Sequence, residues 1–129
     1  MGAQHVTISY VDYTTIKSIT FGLTSNASGD ASISTKALSG QILGVLAIPN
    51  QTDKPSLNFD LTFNGPDSYT VDHFAGFGMN LASTTNKAFT PAFHSATYRT
   101  IAVPLCGIYK IVGKNMGAAN KATCILYYR

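Results

Sequence analysis

Hydrophobic and polar residues alternate with period two through most of this chain, the pattern of strands that bury one face and wet the other. Val6, Ile8 and Tyr10 alternate with Thr7 and Ser9, which predicts a first strand. Ile19, Phe21 and Leu23 alternate with Thr20 and Gly22 in a second, which stops at the turn-forming run Ser25-Asn26-Ala27-Ser28-Gly29-Asp30. A short third strand is expected over residues 31–37, after which Ser39-Gly40 reads as a turn. From Gln41 to Ile48 the chain is almost continuously apolar, as in a strand buried on both faces. Leu57, Phe59, Leu61 and Phe63 then alternate cleanly with Asn58, Asp60 and Thr62, up to the breaker Asn64-Gly65-Pro66-Asp67.

The pattern weakens over residues 68–94, where glycines and small polar residues interrupt every apolar cluster. A short strand over 69–71 and a long irregular connection with one helical turn over 79–83 are expected. Strand patterns return over residues 96–104, 107–112 and 121–128, with a turn over 113–117. The last two read as a hairpin, which would bring Cys106 close to opposite Cys124. About seven to nine strands with little helix define one all-β domain over residues 1–129, an antiparallel β-sandwich or a jelly-roll-like barrel. Strands never alternate with helical patterns, which excludes a doubly wound fold.

Composition sharpens this picture. Charged residues are only 12% of the chain, about half the usual share. All six acidic residues are Asp, and Glu is absent, which removes a common builder of exposed helices. The net charge of +3 comes from scattered cations with no Lys or Arg run, so no nucleic-acid partner is expected. A weakly charged surface costs little to desolvate and tolerates packing against other protein. No apolar stretch is long enough for a bilayer, and residues 1–13 carry no secretory pattern. The expectation is a chain made in the cytoplasm, not secreted and without a membrane partner, where reduced thiols are preferred over a Cys106–Cys124 bridge.

Candidate chemistry is thin. Asp72-His73, with His94, is the best polar set for a metal or a catalytic dyad, but strand neighbours point to opposite faces and no paired-His spacing occurs. Gly76-Phe77-Gly78 lacks the third glycine and the βαβ setting of a dinucleotide site. No serine sits in a nucleophile elbow, and Cys106 has no local His to lower its pKa. A non-enzymatic protein with no catalytic residue, cofactor or metal is expected.

The aromatic residues carry more weight. Tyr69, Phe74, Phe77, Met79 and Phe89 fall in the irregular stretch and are the candidate interface residues. Two readings stand side by side: a satellite core beneath the loop, or side chains packed on a neighbouring subunit.

One ordered set of patterns is familiar. Leu38-Ser39-Gly40-Gln41-Ile42-Leu43-Gly44-Val45-Leu46-Ala47-Ile48 is followed by Asn58-Phe59-Asp60-Leu61-Thr62-Phe63-Asn64-Gly65 and by Gly76-Phe77-Gly78-Met79-Asn80-Leu81. Ser83-Thr84-Thr85 stands behind it, and Val103-Pro104, the small-residue turn Asn115-Met116-Gly117-Ala118-Ala119-Asn120-Lys121 and a final strand over 123–128 close the chain. This order resembles small β-rich virion proteins of tailed bacteriophages, of the head decoration (cement) or neck and tail accessory type. The resemblance implies a virion structural protein, most readily a capsid decoration protein that stabilises the head. Its partners would be copies of itself and the major capsid or other virion proteins, in a homo-oligomer, a trimer before a dimer. A neck adaptor, a tail protein and a carbohydrate-binding module for host adhesion are the rival readings.

Overall fold

The computed structural model of the chain describes residues 3–66, 71–94 and 100–129. It is all β, with no helix among the described residues. The strands are β1 (His5–Asp12), β2 (Lys17–Thr24), β3 (Ala31–Ser34), β4 (Leu38–Pro49), β5 (Asp60–Asn64), β6 (Lys87–Phe89), β7 (Ala92–His94), β8 (Thr100–Ala102), β9 (Pro104–Gly107), β10 (Lys110–Lys114) and β11 (Lys121–Tyr128). Eight of these have four residues or more, within the expected range; of the three-residue strands, β6 and β7 lie in the stretch where alternation is weakest and β8 in the strand expected over 96–104.

Every pairing is antiparallel. A large sheet runs β1-β2-β11-β4-β6, with β9 paired to the first residues of β4. A small sheet runs β3-β10-β5, and β7 pairs β8. The steps β2 to β3, β3 to β4, β4 to β5 and β10 to β11 all cross between the two main sheets. Chain neighbours therefore face each other across the core instead of pairing, which is jelly-roll connectivity.

The core lies between the sheets. Phe21, Cys124, Leu126, Val45 and Ala47 come from the large sheet and Leu61, Phe63 and Ile111 from the small one. Phe63 is its centre, stacked on Tyr109 at 4.9 Å and on Phe74 at 5.2 Å, with Phe21 edge-on at 6.2 Å. The hydroxyl of buried Ser25 accepts from the Asn120 amide at 3.0 Å and donates to the Gly117 carbonyl, tying the end of β2 to the turn before β11.

Several expectations need correcting. The last two strands are not a hairpin: β10 pairs β3 and β5, whereas β11 pairs β2 and β4. Cys124 consequently faces Phe21 and Ala47, Cys106 faces Ser39, and both thiols are free. The apolar run in β4 is not buried on both faces. Ile42, Val45, Ala47 and Pro49 point inward, while Leu43, Leu46 and Ile48 stay half-exposed. The odd step from Ile42 to Val45 is absorbed by a register shift opposite Tyr127 and Tyr128.

Ser39-Gly40 is not a turn but part of β4, and Gly40 adopts φ of 116° where the chain end passes: a Cβ there would lie 1.7 Å from the Arg129 carbonyl oxygen. Leu57 is exposed rather than buried, because the regular pairing starts only at Asp60. Residues 79–83 form no helical turn; Leu81 instead bridges Phe59.

Candidate interaction surface

The aromatic loop turns out to belong mainly to the core. Phe74 is fully buried, which corrects its assignment as an interface residue, and Phe89 is 8% exposed with its ring edge-on to Phe74 at 5.5 Å. Phe77 is half-buried and stacks on Phe89 at 6.4 Å, leaving Met79 as the exposed member of the set. Tyr69 lies outside the described residues.

Asp72 explains why this stretch folds inward. Its Oδ1 accepts from the amides of Phe63 at 2.9 Å and Phe74 at 2.8 Å, and its Oδ2 accepts from Gly76 at 3.0 Å. One carboxylate thus pins the segment along β5. Backbone bonds from His73 N to Phe63 O and from Leu61 N to Gly78 O continue the seam. The segment acts as a fourth, irregular strand of the small sheet.

The same contacts occupy the candidate catalytic groups. Asp72 is committed to three amides, and the His73 ring packs on Gly65 and edge-on to Tyr109 at 5.0 Å. The side chain of His94 lies outside what is described. Asp60 accepts from Asn80 N and Asn115 Nδ2, and Asp53 pairs with Lys121 at 3.4 Å. Among the described residues no group of three His, Cys, Asp or Glu could hold a metal ion. Burial pushes the Cys124 thiol up to about 12, so it is no nucleophile. Tyr109 is raised in the same direction by burial, its hydroxyl accepting from Cys106 N at 2.8 Å.

The outer face of the large sheet offers a different kind of site. Register places Ser9, Thr20, Ile125, Leu46 and Ala88 in one row across all five strands. Val11, Ser18, Tyr127 and Gly44 form the row on one side, and Thr7, Gly22, Thr123 and Ile48 the row on the other. No charged residue stands in these three rows. Gly44 floors a shallow groove of about 400 Å³ walled by Leu46, Ala88, Phe89, Thr90 and Tyr127. Tyr127 is 37% exposed and Val11 40%. Ser18 is buried at 5% exposed, and Thr20, Leu46, Ile48 and Ile125 are half-buried.

The run from Cys124 to Tyr128 is apolar throughout, so only the structure shows that Ile125 and Tyr127 face outward while Cys124, Leu126 and Tyr128 face the core. What the sequence also hides is that β4 lies beside β11, which sets Leu46 and Ile48 next to Ile125 and Tyr127.

No protein-family model matches the sequence, and no curated protein matches it. Among solved structures, the chain is similar to infectious bursal disease virus Gx strain at 15% identity and a TM-score of 0.35, covering 100% of this chain and 36% of that one. It is similar to TmCBM61 in complex with β-1,4-galactotriose at 12% identity and a TM-score of 0.31, covering 97% and 86%. A third likeness is to Peruvianin-I, a cysteine peptidase from Thevetia peruviana latex, at 12% identity and a TM-score of 0.35, covering 98% and 61%. The chain thus spans less than two thirds of the viral chain and of the peptidase. At these scores the likenesses assign neither activity nor partner.

Proposed function

We propose that this chain is a non-enzymatic structural module that works by laying the outer face of its large sheet on another protein surface. Following the resemblance of residues 38–128, that surface is the shell of a tailed-phage head, which the module decorates and stabilises as a cement protein. The observation that carries the reading is the uncharged patch around Ile125, Leu46 and Tyr127. A face of this kind is cheap to desolvate, and an aromatic beside aliphatics in a shallow groove is the composition of an interface core.

The test is cosedimentation of the purified chain with heads that lack it. The expected result is saturable binding by the native chain and loss of binding in Ile125→Glu. Absence of binding to heads would sink the decoration role. Binding at the neck or tail, seen by imaging whole particles, would move the same docking chemistry to another part of the virion.

Tyr127 beside its groove also supports a second reading, a carbohydrate-binding module that stacks a sugar ring on the exposed tyrosine. Saturable glycan binding lost in Tyr127→Ala, with no binding to heads, would select it.

A further inference from the structure

We propose that the turn between β1 and β2 is a hinge, and that two copies of this chain open it and exchange their first strands. Strand exchange does not depend on the docking reading. Tyr13-Thr14-Thr15-Ile16 joins the two strands with no glycine, proline, asparagine or aspartate. All four residues are favoured in strands, whereas turns this tight ordinarily take glycine or asparagine. The chain supplies such residues at other sharp turns: Gly29 has φ of 86° before β3, and Asn115 and Gly117 have φ of 59° and 79° before β11.

The backbone records the misfit. Thr14 has φ of 79°, and Thr15 N donates to Tyr13 O at 3.0 Å, so a γ-turn of the rare, strained hand is centred on Thr14. Among the described residues Thr14 is the only β-branched one with positive φ, where its Cβ is crowded by the backbone. The Asp12 carboxylate steadies the turn by accepting from Thr14 N at 2.8 Å. Tyr13 and Ile16 are left on the surface, 63% and 41% exposed.

The strand that this hinge carries is detachable. No residue of β1 belongs to the buried core; Val6 and Ile8 only pack against its margin. β1 is held by its ladder to β2, from His5↔Thr24 to Asp12↔Lys17, and by side-chain ties to the other sheet. Gln4 bonds both backbone groups of Ser32, and the Tyr10 hydroxyl accepts from Lys36 N at 2.9 Å. All these contacts are made to residues beyond the hinge, so β1 of a second copy makes them equally well. The seat is already filled by a fitting strand, and that strand is this chain's own. A second copy is therefore the occupant, rather than an unrelated strand.

Exchange also adds pairs that a single chain lacks. Continuing the β1–β2 register through an extended hinge sets Tyr13 opposite Ile16 of the second copy, and Thr14 opposite its Thr15. Aromatic–β-branched and Thr–Thr pairs are among those that stabilise antiparallel sheets. The strain at Thr14 is released in both copies, and exposed Tyr13 and Ile16 cover one another. A short hinge under strain is the setting in which identical elements swap between copies. Reciprocal exchange closes at two copies; a ring of three would leave the hinges unpaired, so the trimer that the resemblance implies would need another contact.

The experiment refolds the chain at high concentration and separates the products by sedimentation velocity. An equal mixture of isotope-labelled and unlabelled chains, refolded together, supplies the dimer for isotope-filtered NMR. The native chain is expected to form a dimer in which Val6 of one chain lies beside Leu23 of the other, and Ile8 beside Phe21. Thr14→Asn together with Thr15→Gly gives the turn the residues it lacks, and should weaken the dimer by about tenfold or more. Thr14→Pro cannot take a positive φ and should strengthen the dimer by a similar factor. A native chain that stays monomeric after refolding overturns the proposal. So does a dimer whose Val6–Leu23 contact remains within one chain, or one that responds to neither hinge variant. Swapped dimers that fail to bind heads would leave the exchange standing and sink the docking role; unswapped monomers that bind heads would do the reverse.

Discussion

On the outer face of β10, Lys110, Val112 and Lys114 stand beside Ser32, Ser34, Thr62, Asn64 and Asp60. On the outer face of β11, Thr123, Ile125 and Tyr127 stand beside Thr20, Leu46 and Ile48. Both faces come from strands that alternate in the same way, and both strands send their other side chains into the same core. Covering the first face would strip water from two lysines and an aspartate, a cost that only matched charges could offset. Covering the second removes mostly apolar and hydroxyl surface. The inner faces therefore account for the fold, and the difference between the outer faces is the ground on which the large-sheet face is proposed as the docking side.

The largest effect should come from breaking what both faces share. Phe63→Ala removes the ring that stacks on Tyr109 and Phe74, and is expected to cost about 3–5 kcal/mol in chemical denaturation. Asp72→Ala comes next, at about 2–3 kcal/mol, because three amides lose an ionised acceptor. Asp72→Asn should recover part of that, since its amide oxygen still accepts while the charge is gone.

Surface changes then separate the faces. Ile125→Glu and Val112→Glu should each shift stability by about 1 kcal/mol or less. Only the former should abolish docking, and equal loss of docking in both would remove the distinction between the faces.

The smallest effect is on pH dependence. Cys124 has a thiol raised by burial to about 12, against 9.0 for an exposed thiol. Between these values the unfolded chain has released a proton that the folded chain still holds, so stability is present below pH 9 and falls as pH rises above it. The slope approaches about 1.4 kcal/mol per pH unit for one group. Tyr109 and Tyr128 are raised in the same direction and act from pH 10 upward, so Cys124→Ala should flatten the fall that begins near pH 9. In the native state a thiol reagent should label exposed Cys106 and spare Cys124.

The strands themselves were legible where alternation was clean. Ile19, Phe21 and Leu23 in β2 and Leu61 and Phe63 in β5 point inward as their pattern requires. Which strands lie side by side was not legible, because alternation records the face of a residue and says nothing about its lateral neighbour. β10 and β11 look like a hairpin in sequence, yet the turn between them carries the chain to the opposite sheet, where β11 fills the gap between β2 and β4. Phe74 and Phe89 were drawn toward the surface by their irregular surroundings. The Asp72 carboxylate reverses this by holding the segment onto β5, a tertiary contact with no periodic signature. The proposed docking surface was hidden for the same reason as the topology: Leu46 and Ile125 are far apart in the chain and adjacent only through the β4–β11 register.

The most direct test of the central claim is an image reconstruction of heads carrying this chain, at a resolution that separates strands. The large-sheet face should lie against the shell, with Leu46, Ile125 and Tyr127 buried and Lys110 and Lys114 facing solvent. A bound chain with the small-sheet face inward, and Tyr127 open to solvent, would contradict it.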